Sequence, residues 1–121
     1  MRYMNKRKLG NEKEKAACTY LEAAGYQIME RNFYCRAGEI DIIAKDGDVL
    51  CFIEVKYRGG TGQGGAAAAV NYSKQRAVSK AALFYLMKHN MSADTAIRFD
   101  VVTIDGDTHS IIKNAFDYCY R

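Results

Sequence analysis

Gly38-Glu39-Ile40-Asp41-Ile42-Ile43-Ala44-Lys45, then Asp46-Gly47, then Asp48-Val49-Leu50-Cys51-Phe52-Ile53-Glu54-Val55-Lys56, is the stretch that decides the fold. Two runs rich in Ile and Val flank a dipeptide strongly favoured in tight hairpins. A two-residue turn at Asp46-Gly47 sets Lys45 against Asp48 and Glu39 against Glu54. A loop longer by two residues keeps both faces and sets Asp41 against Glu54. A slip by one residue mixes the faces, so the pattern pins the register to one of these two. One face then carries Ile40, Ile42, Ala44, Val49, Cys51, Ile53 and Val55. The other carries Glu39, Asp41, Ile43, Leu50, Phe52, Glu54 and Lys56.

Upstream of the hairpin, Ala16, Ala17, Tyr20, Leu21 and Ala24 recur at helical spacing, which predicts a helix over residues 11–24. Asn11 with Glu14 three residues on reads as a capping box, and Gly25 as the stop. Residues 1–9 hold Arg2, Lys6, Arg7 and Lys8 and no acid, and read as a mobile basic arm. Residues 10–121 read as one domain. Tyr26 to Asn32 reads as a first strand, followed by a polar turn to Ala37.

Downstream, residues 59–65 form a glycine-rich loop that lacks the Gly-Lys-Ser/Thr of a Walker motif. Residues 71–89 read as a second helix, capped by Asn71 or Ser73. Its predicted buried stripe is Val78, Ala81, Ala82, Tyr85 and Leu86, and Asn90 is its stop. Strands at 97–104 and 108–113 follow, joined by a turn at Asp105-Gly106-Asp107. The order is α-β-β-β-α-β-β. A helix between the third and fourth strands implies a parallel, right-handed crossover, hence an α/β fold with a mixed sheet flanked by helices.

The whole chain has 121 residues, 49% of them hydrophobic and 26% charged, which is globular composition. No apolar run reaches the ~18 residues of a membrane span, and the N-terminus lacks the apolar stretch of a secretory signal. The expectation is a cytoplasmic protein with no membrane partner. Cys18, Cys35, Cys51 and Cys119 form no C-x-x-C pair and read as reduced thiols. His89 and His109 lack ligand-spaced partners and read as surface residues. Tyr26, Phe33 and Tyr34, with Arg31 and Arg36 near them, read as core more readily than as base-stacking groups. The formal net charge of +4 is uneven: residues 1–36 and 61–98 are each +4, and residues 37–60 and 99–121 are each −2. Basic segments around an acidic hairpin suit a polyanion held beside a bound cation.

Carboxylates opposite one another on a sheet repel, so one of them takes up a proton or a cation joins them. Mg²⁺ takes one or two carboxylates together with water and phosphate oxygens. Lys56, two residues after Glu54, projects from the same face. Carboxylates, a hard cation and a lysine are what metal-assisted attack on phosphorus needs.

Asp41 followed by Glu54-Val55-Lys56 resembles the PD-(D/E)xK signature of the restriction-endonuclease-like superfamily. Further matches are Ala17 through Leu21, Gly25-Tyr26, Arg31-Asn32, Gly38 through Ala44, Phe52 through Lys56 with Arg58, Lys74, and Phe99-Asp100-Val101-Val102. Together they resemble the bacterial YraN family from about residue 10 to Phe116. That family is similar in fold to Holliday-junction resolvases.

The resemblance implies a restriction-endonuclease-like core and a metal-dependent DNA endonuclease, acting on branched or single-stranded DNA and leaving a 5′-phosphate. Its cofactor would be Mg²⁺ or Mn²⁺. Catalytic roles fall to Asp41, Glu54 and Lys56, with Asp41, Glu54 and the Val55 carbonyl as metal ligands. Glu14 has two readings, as the capping-box acid or as a further metal-site acid. Glu39 reads as a supporting acid or a turn-end residue, and Gln75 as a supporting, substrate-side residue or, more readily, a solvent-facing one. Arg58, Lys74, Arg76 and Lys80 are the expected nucleic-acid contacts. Symmetric dimers among resolvase-like relatives make a homodimer one expectation. Tyr57 stands where the family usually has Thr. Two other readings stay open: a nucleic-acid-binding protein of this fold with little or no turnover, and an interaction protein using its exposed edge strand.

Overall fold

The computed structural model describes residues 2–58 and 70–119, with side chains from 12–57 and 70–119. The glycine-rich loop and the Arg58 side chain lie outside the described residues. The elements are α1 (Arg2–Ala23), β1 (Gln27–Cys35), β2 (Gly38–Asp46), β3 (Val49–Arg58), α2 (Tyr72–Lys88), β4 (Ile97–Asp105) and β5 (Thr108–Phe116). This is the α/β order read from the sequence. The strands form one sheet ordered β1-β2-β3-β4-β5. Only the β3–β4 pair is parallel, and α2 makes the crossover between them.

The hairpin takes the second of the two registers. Asp46 pairs with Val49 and Ile42 with Ile53, so one step further Asp41 stands opposite Glu54. The turn is Gly47-Asp48, still two residues long and moved one position along. Gly47 carries the positive φ, +63°, as glycine does at the first position of a favoured two-residue turn. The Lys45–Asp48 register is therefore replaced. It would have put an acid at the turn position that glycine fills without strain.

Each face of the sheet is covered by one helix. Ala17, Cys18 and Leu21 of α1 pack with Tyr26, Ile42, Ala44, Cys51, Ile53, Val102 and Ile104. Val78, Ala81, Ala82, Tyr85 and Leu86 of α2 pack with Phe33, Ile40, Ile43, Leu50, Phe52 and Phe99. The Tyr85 ring meets Phe33 and Phe52 edge-on, at 5.3 and 5.8 Å, a preferred aromatic geometry. Each large apolar side chain buried here contributes about 1.5–3 kcal/mol. The predicted α2 stripe is the buried one, and Asn71 is its N-cap, its Oδ1 accepting from the Lys74 amide at 2.8 Å.

Three expectations change. The helix begins at Arg2, not Asn11, so the basic segment is helical from its second residue and Asn11 lies inside the helix, where no cap is needed. β1 runs on to Cys35 through Asn32, whose φ is +55°. Asparagine tolerates that conformation better than most residues, so the strand continues where a turn was expected. Ile40 lies in the α2 cluster although Ile42 lies in the α1 cluster. Strict alternation therefore fails around Asp41. All four cysteines are free thiols. His89 is exposed, whereas the His109 ring is half-buried and stacks on Tyr20 at 5.1 Å. Among the described residues, no helix is long and apolar enough to cross a membrane.

Candidate metal centre

The break in alternation around Asp41 builds the site. The β2–β3 ladder runs from Asp46/Val49 to Ile42/Ile53. Just beyond it, the Val55 amide donates to Asp41 Oδ2 at 2.9 Å. A side-chain carboxylate thus ties the two strands where their regular pairing stops. Glu14 approaches from α1 and Glu39 from β2. Carboxylate oxygens of Glu14, Glu39 and Asp41 lie within 4.8 Å of one another. Glu54 of β3 stands opposite Asp41 in the hairpin register, and its charge acts on the Asp41 carboxyl. The capping-box alternative for Glu14 lapses with the earlier helix start.

The electrostatics are strained. Glu54 is only 5% exposed, and burial of an ionised carboxylate is costly unless it is paired. Its one direct ion partner among the described residues is Lys74 of α2, whose Nζ lies 3.2 Å from Oε2. Oε1 of Glu54 and Oε1 of Glu14 are buried without a hydrogen bond among the described residues. Arg31 Nη2 stands 4.0 Å from Glu14 Oε1, a weak ion pair. Burial, then the hydrogen bond and charge of Glu54, push the Asp41 carboxyl up to about 7. Burial and the charge of Asp41 also raise Glu14, against a hydrogen bond from Asn32. The cluster holds more negative charge than its protein partners balance.

The remaining expected residues divide. Lys56 lies half-buried on β3, paired with Thr103 of β4 and two residues beyond Glu54. Its ammonium is in none of the ion pairs among the described residues. Gln75 donates from Nε2 to the Val70 carbonyl at 2.9 Å, so its amide holds the chain entering α2. Arg76 is half-buried, its guanidinium 5.9 Å from the Tyr72 ring. Lys80 is exposed and lines a surface hollow with Arg36, Ala37 and Phe84. Lys74, expected on phosphate, sits on Glu54.

A second polar cluster was not read from the sequence. Asp100 is fully buried. It accepts from Arg98 Nε and Nη2 at 2.8 and 2.9 Å, from the Tyr26 hydroxyl at 2.9 Å and from the Asn114 amide at 2.9 Å. Arg98 also reaches Asp46 at 2.8 Å, and Lys113 reaches it at 3.1 Å. Every carboxylate oxygen of Asp100 is satisfied, so this cluster holds structure. It ties Tyr26, just before β1, to the end of β2, to β4 and to β5.

The profile described as "Uncharacterised protein family UPF0102" matches residues 13–104, a span holding Glu14, Glu39, Asp41, Glu54, Lys56 and Lys74. The chain belongs to the UPF0102 family. This is the YraN family of the sequence resemblance. A UPF0102 protein of Lachnoclostridium phytofermentans is 44% identical over 114 residues, covering 94% of this chain and 97% of the relative. One from Geobacter metallireducens is 46% identical over 121 residues, covering 97% and 98%. One from Alkalilimnicola ehrlichii is 43% identical over 107 residues, covering 88% and 85%.

Proposed function

We propose that this UPF0102 protein is a metal-dependent nuclease-like protein that hydrolyses phosphodiester bonds in DNA. The observation that carries the reading is the convergence of Glu14, Glu39 and Asp41 within 4.8 Å, beside a buried Glu54 with an oxygen unpartnered among the described residues. Hard carboxylate oxygens, in excess of their protein counter-charges, fit Mg²⁺ or Mn²⁺. Asp41 and Glu54 would hold the cation, with the Val55 carbonyl, Glu14 and Glu39 adding oxygens directly or through water. When bound, the cation supplies Lewis acidity toward phosphoryl oxygens and lowers the pKa of its water.

The chain's own groups do the rest. Lys56, unpaired among the described residues, is the ammonium available to orient an attacking water or hold a non-bridging oxygen. The Val55 amide fixes Asp41, so one ligand is positioned in advance. Arg58 and Arg76 are the candidates for flanking phosphates. The test is a screen of branched, nicked, single-stranded and duplex DNA with Mg²⁺ or Mn²⁺. Cleavage by the wild type and not by Asp41→Asn supports the reading; cleavage by neither removes it.

One observation favours a second reading. Lys74 neutralises Glu54 without any metal, as suits a nucleic-acid-binding protein of this fold with little turnover. In that case DNA binding survives Asp41→Asn and chelation, and falls steeply with salt.

A further inference from the structure

Glu54 is nearly sealed from solvent, yet its partner is not. The Lys74 side chain is 36% exposed against 5% for Glu54, so a flexible four-carbon stem reaches inward from the surface to the buried acid. The backbone of Lys74 is fixed by the Asn71 cap. Its ammonium reaches one oxygen of the pair, Oε2, and leaves buried Oε1 without a hydrogen bond among the described residues. Burial works against this ammonium. The charge and hydrogen bond of Glu54, with Asp41 and Glu39 behind it, outweigh burial and hold Lys74 protonated. Among the described residues, Lys74 is thus the cation paired with Glu54, and the weak Arg31–Glu14 pair is the other ion pair at the carboxylates.

We propose that Lys74 is the exchangeable counter-cation of this site, its ammonium and a divalent cation competing for Glu54. The proposal rests on the reading of the carboxylates as a divalent-cation site. A divalent ion held by these carboxylates would bring twice the charge of the ammonium. Its arrival repels the ammonium, which the long, mobile stem can carry back to the surface. The lysine on the first turn of α2 is then released beside the metal, where a phosphate of the substrate would meet it. Lys74 is thus a positioning residue: it holds Glu54 in place, and it sets how much cation is needed to open the site.

The test is calorimetric titration of Mn²⁺ alone, at fixed ionic strength and without nucleic acid. The proteins are the wild type, Lys74→Met, Lys74→Arg and Asp41→Asn. Removing the competing charge is expected to tighten Mn²⁺ binding about tenfold in Lys74→Met. Lys74→Arg, which keeps the charge, stays near the wild type. Thermal unfolding in chelator is expected to show Lys74→Met less stable than the wild type, with the order reversed at saturating Mn²⁺. Unchanged or weaker Mn²⁺ binding in Lys74→Met overturns the exchange. Wild-type binding that is lost in Asp41→Asn keeps the underlying metal reading intact even then. No Mn²⁺ binding by wild type or Lys74→Met overturns both.

Discussion

The Val55 amide donates to Oδ2 of Asp41 at 2.9 Å, across the point where the β2–β3 ladder stops. That bond holds Asp41 beside Glu54 in a buried setting, and burial and Glu54 push its carboxyl up to about 7. A raised acid binds its proton more tightly in the folded state. Its contribution is full below about pH 4, shrinks as pH rises, and is gone above about pH 7. Asparagine keeps an acceptor for Val55 without the charge. In chelator, Asp41→Asn should be more stable than the wild type at pH 8 by about 1 kcal/mol or more, since each pKa unit is about 1.4 kcal/mol. The difference should vanish toward pH 4. Urea unfolding across that range checks it; parallel pH profiles for the two proteins would count against the assignment.

The Asp100 cluster should govern stability and leave the cation site alone. Asp100 aligns with Ile53, on the α1 side of the sheet. Asp100→Ala strands the Arg98 guanidinium, the Tyr26 hydroxyl and the Asn114 amide, and should cost roughly 3–5 kcal/mol. Chemical denaturation measures the loss. Where the variant remains folded, its Mn²⁺ affinity should match the wild type.

Gly38 opens β2 against α2, and a Cβ there would stand 3.2 Å from the Ala77 Cβ. Gly38→Ala should cost about 1 kcal/mol, as mild overpacking does. It should also weaken Mn²⁺ binding, because the displaced strand carries Glu39 and the displaced helix carries Lys74. Denaturation and calorimetry on one preparation read both effects.

DNA contacts should separate along α2. Arg76 lies in the same first turns as Lys74, whereas Lys80 lies farther along on an exposed surface. Arg76→Ala should weaken DNA binding and reduce the salt slope by about one unit. Lys80→Ala should leave the slope within error. Fluorescence anisotropy at several salt concentrations decides between them.

Much of this was legible in the residues. Apolar periodicity located α2 and its buried stripe, and the hairpin alternation restricted the register to two choices, of which the structure uses one. Local patterns could not choose between them, because both kept the same faces. The placement of Gly47, a backbone matter, made the choice. Ile40 escaped the alternation because β2 departs from strict pleating around Asp41, a tertiary effect. Asp100 escaped because a lone acid in Phe99-Asp100-Val101-Val102 looks like any other; two of its partners, Tyr26 and Asn114, come from distant parts of the chain. Lys74 was visible as a cation but not as the partner of Glu54, since α2 and β3 meet only in the fold. The proximity of Glu14 to Asp41 was likewise open until α1 was seen to extend across the site.

The central claim is that Asp41 and Glu54 hold a divalent cation. Anomalous diffraction from Mn²⁺-soaked crystals of the wild type tests it most directly. The expected result is a manganese peak bonded to oxygens of Asp41 and Glu54, with Lys74 turned away from Glu54. A peak elsewhere, or none at this cluster while Lys74 remains on Glu54 at saturating Mn²⁺, would contradict the account.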